Sequence, residues 1–113
     1  MNQVDICIEQ LVWAVIGSEE YKQYQEIKEK IKQNPEKEQA INEFRRRNFI
    51  LQKRNDNVDL FKEIEGLEEE FADLLEEPLV KAYLDAELSF CRLIQKINWK
   101  LMERIEFDAA VIE

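Results

Sequence analysis

The residue types that most often carry out chemistry are sparse in this chain of 113 residues. It contains no histidine and only two cysteines, against 25 acidic residues. Without histidine, the common nucleophile–base pairs and the histidine-containing metal sites of helical bundles are excluded. The two glycines lie far apart, so the chain has no glycine-rich loop to cradle a phosphate. The remaining catalytic interpretation is a pair of carboxylates that exchange a proton with a substrate.

Carboxylates are plentiful, and those at residues 68–70 and 76–77 are consecutive in the sequence. Consecutive side chains fan around a helix instead of converging on one point. We therefore predict solvated faces, a protein that is not an enzyme, and no small-molecule substrate. An acid–base pair in a concave pocket is the alternative that the sequence leaves open.

Cys7 and Cys91 fall at apolar positions of two separate predicted helices. We expect both thiols to be small core hydrophobes without chemistry. Two isolated thiols in a chain without histidine do not form a zinc or iron–sulfur site, and nothing indicates the oxidising compartment that a disulfide requires. The sequence therefore predicts no metal and no other cofactor.

Charge is distributed unevenly between two neighbouring segments. Residues 36–54 carry a surplus of three positive charges, which includes Arg45, Arg46 and Arg47, whereas residues 59–77 carry a surplus of eight negative charges. A short loop makes consecutive helices antiparallel neighbours, so we favour two helices side by side with complementary charged flanks. The alternative is that the three arginines present a basic surface to an acidic partner or to RNA. A net charge of −9 argues against direct binding to nucleic acid.

The same net charge argues against adsorption to an anionic membrane surface. No apolar run approaches the roughly 18 residues of a membrane-spanning helix, and no basic–apolar signal segment opens the chain. We expect a cytoplasmic protein without membrane contact.

Helical signals run through the whole sequence. Good helix formers dominate the composition, and apolar residues recur three or four positions apart. Ser18, Pro35 and Pro78 stand where helices begin, and the segment 55–57 is typical of a loop. The predicted helices span residues 4–16, 21–33, 36–54, 58–76 and 78–105. These patterns predict an all-α fold: a single domain over residues 1–113, built as an elongated antiparallel bundle of four to five helices with one long C-terminal helix.

The first predicted helix, residues 4–16, is apolar around most of its circumference. Such a helix must be buried on more than one side, and a chain this short offers too little surface to cover it. We therefore expect a homodimer or higher oligomer that completes the bundle, with Leu11 and Val15 in the interface.

Further candidate interaction residues lie on the long C-terminal helix. Tyr83 lies on its apolar line, and Trp99 lies beside that line at a position typical of a bundle rim or of an interface. Glu87 is the charged residue on the apolar line. It either faces water through a shift in register or pairs with a basic residue of the 36–54 helix. The full set of candidate interaction residues is Leu11, Val15, Arg45, Arg46, Arg47, Tyr83, Glu87 and Trp99.

Several short motifs together resemble the YlbF/YmcA-like family of small bacterial helical proteins. They are G-S-E-E-Y-K-Q-Y-Q at residues 17–25, N-P-E at 34–36, E-P-L-V-K-A-Y-L-D-A-E at 77–87 and L-I-Q-K-I-N at 93–98. The proline-containing segment at residues 77–87 is the most specific of them. The resemblance covers nearly the whole chain, from about residue 4 to residue 108.

The resemblance implies an all-helical, non-catalytic regulator that forms homodimers or mixed complexes with related helical family members. It also implies a role in competence, sporulation and biofilm formation, and in messenger-RNA processing by ribonuclease Y. Some members carry a cysteine-containing tail that helps to hold an iron–sulfur cluster. This sequence has no cysteine after Cys91, so we expect no such cofactor here.

Overall fold

The computed structural model describes residues 2–53 and 59–105, and within them every regular element is an α-helix. The six helices are α1 (Gln3–Ile16), α2 (Glu19–Lys32), α3 (Pro35–Lys53), α4 (Leu60–Glu70), α5 (Ala72–Glu76) and α6 (Pro78–Arg104). The all-α prediction with a long last helix is confirmed. The predicted loop at residues 55–57 and the acidic tail after residue 105 lie outside the described residues.

The helix starts follow from local capping chemistry. The Ser18 hydroxyl accepts a hydrogen bond from the Tyr21 N–H at 3.2 Å and donates one to the Val15 carbonyl at 2.6 Å, so it joins the end of α1 to the start of α2. Helices α3 and α6 each begin at a proline, whose missing N–H would have no intrahelical partner at that position. The Asp59 carboxylate caps α4 by accepting from the Lys62 N–H.

The predicted single helix over residues 58–76 is broken at Phe71, which raises the number of helices from five to six. The backbone of Phe71 has φ −103° and ψ 16°, outside the helical range. Hydrogen bonds continue on both sides of the break, since the Phe71 N–H bonds to the Leu67 carbonyl at 3.1 Å and the Leu75 N–H to the Phe71 carbonyl at 2.9 Å. The Phe71 ring packs edge-on against Phe44 of α3, with 5.4 Å between centroids. This tertiary contact stabilises the local bend that helix propensity alone would not predict.

The chain divides into two compact units. Unit 1 comprises residues 1–25 and 85–113, and unit 2 comprises residues 26–84. In the described part of unit 2, the buried hydrophobic side chains are Ile31, Ile41, Leu67, Val80 and Tyr83; in that of unit 1 there is only Ala86. Unit 2 therefore holds the larger hydrophobic core.

Helices α3 and α4–α5 are antiparallel neighbours within unit 2. Arg47 of α3 pairs with Glu70, Phe44 packs on Phe71, and Lys37 Nζ lies 2.6 Å from Glu77 Oε2. Across these three contacts the residue number decreases along α3 as it increases along the partner segment, as expected for an antiparallel pair. The predicted side-by-side arrangement with complementary charged flanks is confirmed.

Candidate functional site

Unit 1 exposes most of its apolar side chains. None of the fourteen residues of α1 is buried. Trp13 is 70% exposed, and its α1 neighbours Ile6, Val12 and Ile16 are each more than 40% exposed. On α6, Ile94, Leu101 and Ile105 are also largely exposed. Unit 1 contributes twelve of the sixteen large hydrophobic side chains that are exposed among the described residues.

Leu11 and Val15, the two α1 residues predicted to lie in an interface, line a hollow within unit 1. This hollow has a volume of about 260 Å³, and its other apolar walls come from Ala14 of α1 and from Leu93 and Ile97 of α6. The side of α1 that bears Leu11 and Val15 is thus turned partly towards the chain's own last helix.

Helical periodicity places Trp13 and Ile6 on the side of α1 away from that hollow. Both residues belong to the apolar helix predicted over residues 4–16, but neither is among the candidate interaction residues predicted from the sequence. The helical period of 3.6 residues could have identified them. Once one face of α1 is assigned to a contact within the chain, the apolar residues on the opposite face remain exposed.

The arginine cluster of α3 has partners inside the chain. Arg46 Nε donates to Glu43 Oε2 at 3.1 Å, and the Arg47 guanidinium forms a two-pronged ion pair with Glu70, in which Nη2 lies 3.0 Å from Oε1. The Arg45 guanidinium lies over the Tyr83 ring, 5.2 Å from its centroid. The structure thus brings together four of the predicted residues, Arg45 with Tyr83 directly and Arg46 and Arg47 on the adjoining surface of α3.

These ion pairs shift the pKa of each carboxyl in a definite direction. The hydrogen bond from Arg47 lowers the pKa of Glu70 below its ordinary value, and the hydrogen bond from Arg46 does the same for Glu43. Both carboxylates line the open cavity of about 700 Å³ between α3 and α4. A general acid near neutral pH needs a raised pKa, so the direction of these shifts is the opposite of what proton transfer would require.

Replacement of Arg47 with alanine is expected to raise the pKa of Glu70 towards its ordinary value, because the hydrogen bond that favours the charged form is removed. In the native chain the lowered pKa of Glu70 favours folding above the unfolded-state pKa, and this contribution is lost as the pH falls through the folded-state pKa. Carboxyl carbon chemical shifts followed through an acid titration measure the change. Lys53→Ala on the same helix is the control and should leave the Glu70 titration where it is; an unchanged Glu70 in the Arg47 variant would contradict the ion pair.

The other predicted residues are placed as follows. Glu87 is half-buried, so it does not stand fully in water. Tyr83 is buried at 7% exposure, whereas Trp99 is 69% exposed. Trp99 lies in a hollow with Arg92 and Lys96 on α6. Within unit 1, Trp99 is thus placed on a polar part of α6 and separate from the hollow that Leu11 and Val15 line.

Both cysteines are exposed, so the prediction that they are core hydrophobes is wrong. Cys7 lies on α1, which has no buried residue, and Cys91 lies on a side of α6 that the described residues leave open. Apolar periodicity predicts which side chains gain from burial but cannot say whether the same chain buries them.

In residues 2–53 and 59–105, no three histidine, cysteine or acidic side chains are grouped as metal ligands, and no helix is both long and apolar enough to span a membrane.

Comparison with known proteins confirms the resemblance seen in the sequence motifs. The family model described as "Control of competence regulator ComK, YlbF/YmcA" matches residues 7–106. A UPF0342 protein from Caldicellulosiruptor bescii is 30% identical over 108 residues, which cover 94% of this chain and 90% of that protein. No solved structure matches the chain. The chain therefore belongs to the YlbF/YmcA family, which is described as controlling the competence regulator ComK.

Proposed function

We propose that this protein is a non-catalytic regulatory adaptor that acts through helix-mediated protein–protein association. By its family, its role would lie in the control of competence, sporulation and biofilm formation and of ribonuclease Y-dependent messenger-RNA processing. Its partners would be a second copy of the chain and related helical family members. We further propose that it acts in the cytoplasm as one folded domain over residues 1–113.

The observation that carries this proposal is the contrast between apolar content and burial in unit 1. Twelve large hydrophobic side chains are exposed there, while the only buried hydrophobic residue in its described part is Ala86. Apolar surface gains about 25 cal/mol for each Å² removed from water, and full burial of one large side chain gains about 1.5–3 kcal/mol. A partner helix packed on α1 would bury several of these side chains and gain this free energy for each of them. An isolated chain leaves them exposed and does not gain it.

The cavity between α3 and α4 supports the non-catalytic part of the proposal. Two of its three carboxylates, Glu43 and Glu70, are held in the charged form by arginine, and neither of the two has the raised pKa of a general acid. The cavity therefore offers charge pairs that stabilise two neighbouring helices, and we assign it a structural role.

The alternative of an RNA-associated factor rests on Arg45, Arg46 and Arg47. Each of these side chains is engaged within the chain, two with carboxylates and one with an aromatic ring. Binding of a phosphate backbone would have to displace these partners against a net charge of −9. We therefore favour the adaptor.

Size-exclusion chromatography with light scattering tests the proposal. At micromolar concentration we expect a mass at least twice the 13.6 kDa of one chain. A mixture with a related family member should yield either the same self-associated species or a mixed complex of defined stoichiometry. A folded, stable monomer in both samples would contradict the proposal.

A further inference from the structure

One side of α6 carries a row of basic residues beside an exposed tryptophan. Arg92, Lys96 and Lys100 are four residues apart, so they follow one another along one face of the helix. All three are exposed, and Trp99 is 69% exposed beside them. Arg92, Lys96 and Trp99 line a hollow of about 570 Å³ together with Gln95 and Asn98. We call Arg92, Lys96, Trp99 and Lys100 the basic face of α6.

Part of the basic face lies away from the packed side of the helix. Phe90 of α6 contacts Tyr21 and Tyr24 of α2, with ring centroids 5.4 and 5.6 Å apart. With about 100° of rotation per residue, Arg92 and Trp99 lie roughly opposite Phe90. Lys96 and Lys100 also border the hollow that Leu11 and Val15 line, whereas Trp13 and Ile6 lie on the other side of α1.

The basic face is unusual in a chain with a net charge of −9. In residues 88–104 the basic side chains outnumber the acidic ones by three, and the acidic one is Glu103. Glu20 shares a second hollow with Arg92 and Lys96. Within the part of the chain that the structure describes, no carboxylate lies within ion-pair distance of Arg92, Lys96 or Lys100. These three cations therefore form no ion pair with the described residues, and Glu20 is the carboxylate that borders the same surface.

We propose that the basic face of α6 docks an acidic amphipathic helix of a partner protein. The three cations extend over about 12 Å, at 1.5 Å per residue, and match carboxylates that recur every four residues on the partner helix. Trp99 supplies a large apolar anchor of the kind that concentrates binding energy in interfaces. The charges steer the encounter and fix the register, while the tryptophan holds the docked helix.

Charge complementarity favours an acidic helix over RNA as the occupant. A helix of this kind presents a few carboxylates at a defined spacing together with an apolar side chain for Trp99. RNA presents a continuous line of phosphates, which would extend beyond three cations onto a protein surface that is acidic overall. RNA binding is accordingly the rival outcome of the experiment.

Fluorescence anisotropy with the full chain and three labelled probes tests the proposal. The first probe is a synthetic helical peptide with glutamates four residues apart and leucines on the adjoining face; the second has glutamine at each glutamate; the third is a single-stranded RNA oligonucleotide. We expect the glutamate peptide to bind at least about tenfold more tightly than either other probe, with an affinity that falls as salt is raised. Equal binding of the two peptides, or tighter binding of RNA, would overturn the proposal.

Variants locate the binding on the basic face. The triple change Arg92→Glu, Lys96→Glu and Lys100→Glu should weaken peptide binding at least about tenfold, and Trp99→Ala should weaken it without any change in charge. The matched control is Lys22→Glu, Lys30→Glu and Lys32→Glu, which alters the net charge equally at three exposed lysines of α2. The same loss in both triple variants would show a general charge effect and overturn the proposal.

Light scattering on the same samples separates this proposal from the proposed self-association. The basic-face triple variant should keep the mass of the native protein, because the proposed self-association rests on the side of α1 that bears Trp13, away from the hollow that Lys96 and Lys100 border. If the native chain is a monomer and binds the peptide, the docking proposal is supported and self-association is contradicted. If it is a dimer and binds no peptide, self-association is supported and the docking proposal is contradicted.

Discussion

Replacement of Ile41 with alanine is expected to destabilise the fold by about 2–5 kcal/mol. Ile41 lies on α3 in unit 2 and is only 2% exposed, so the deleted methyl groups leave a cavity that the surrounding side chains fill only in part. Small domains are stable by only about 5–15 kcal/mol, so the loss takes a large share of the total. Urea titration followed by circular dichroism measures it as a lower midpoint at an unchanged slope.

The control for this prediction is the same substitution at Ile50, nine residues further along α3. Ile50 is 46% exposed and therefore leaves little cavity and little lost burial when it becomes alanine. We expect at most about 1 kcal/mol of destabilisation there, in line with partial loss of the transfer free energy. Equal effects at Ile41 and Ile50 would contradict the placement of Ile41, and not Ile50, in the core of unit 2.

Helix starts could be predicted from the sequence because capping is local chemistry. Ser18 bonds to the Tyr21 N–H, and Pro35 and Pro78 begin their helices, as the residue types alone indicate. The bend at Phe71 could not be predicted in this way. It depends on a ring of α3 that lies 27 positions earlier in the chain, at Phe44, and nothing in residues 58–76 reports that contact.

The pairing of α3 with α4 was predictable in kind but not in detail. The opposite charge surpluses indicated complementary flanks, yet the specific partners Arg47 and Glu70 follow from the packing of Phe44 on Phe71, which sets the register. The charge of Arg45 predicts a surface position but not the contact that its side chain makes. Its guanidinium lies over the ring of the buried Tyr83, so a residue assigned to a basic surface also packs against the core.

Burial in unit 1 was the feature that the sequence predicted least well. Hydrophobic periodicity indicates which side chains gain from burial, and it shows that α1 is apolar around most of its circumference. It cannot say whether the cover comes from the same chain. Cys7 and Cys91 were expected in a core for this reason, and both are exposed. The same ambiguity led to the choice of Leu11 and Val15, which line an intramolecular hollow, over the more exposed Trp13.

The two units therefore call for different measurements. A core substitution in unit 2, such as Ile41→Ala, acts on folding. A substitution among the exposed apolar residues of α1 removes no buried contact, since no residue of α1 is buried. Its effect should appear in association, with the unfolding of the separated chain little changed. This separation makes the adaptor proposal testable without confusing loss of a partner with loss of the fold.

Replacement of Trp13 with glutamate is expected to weaken self-association by about 2–4 kcal/mol, or about 30- to 1,000-fold in the dissociation constant. Trp13 is 70% exposed and is the largest apolar side chain on the side of α1 away from the hollow. It therefore offers the largest exposed apolar surface on that side for burial on binding. Glutamate is a good helix former, and the helical content should therefore persist. Sedimentation equilibrium over a range of concentrations measures the dissociation constant, and circular dichroism checks the fold.

The matched control is Gln10→Glu, which adds the same charge at an exposed polar position of the same helix. It should change the dissociation constant by less than about tenfold, because a rim charge contributes little to affinity. If both variants dissociate equally, repulsion between acidic chains explains the loss and Trp13 is not an anchor. If neither changes the mass of a native oligomer, the exposed face of α1 is not where the copies meet, and the exposed apolar residues Ile94, Leu101 and Ile105 of α6 are the next to be tested.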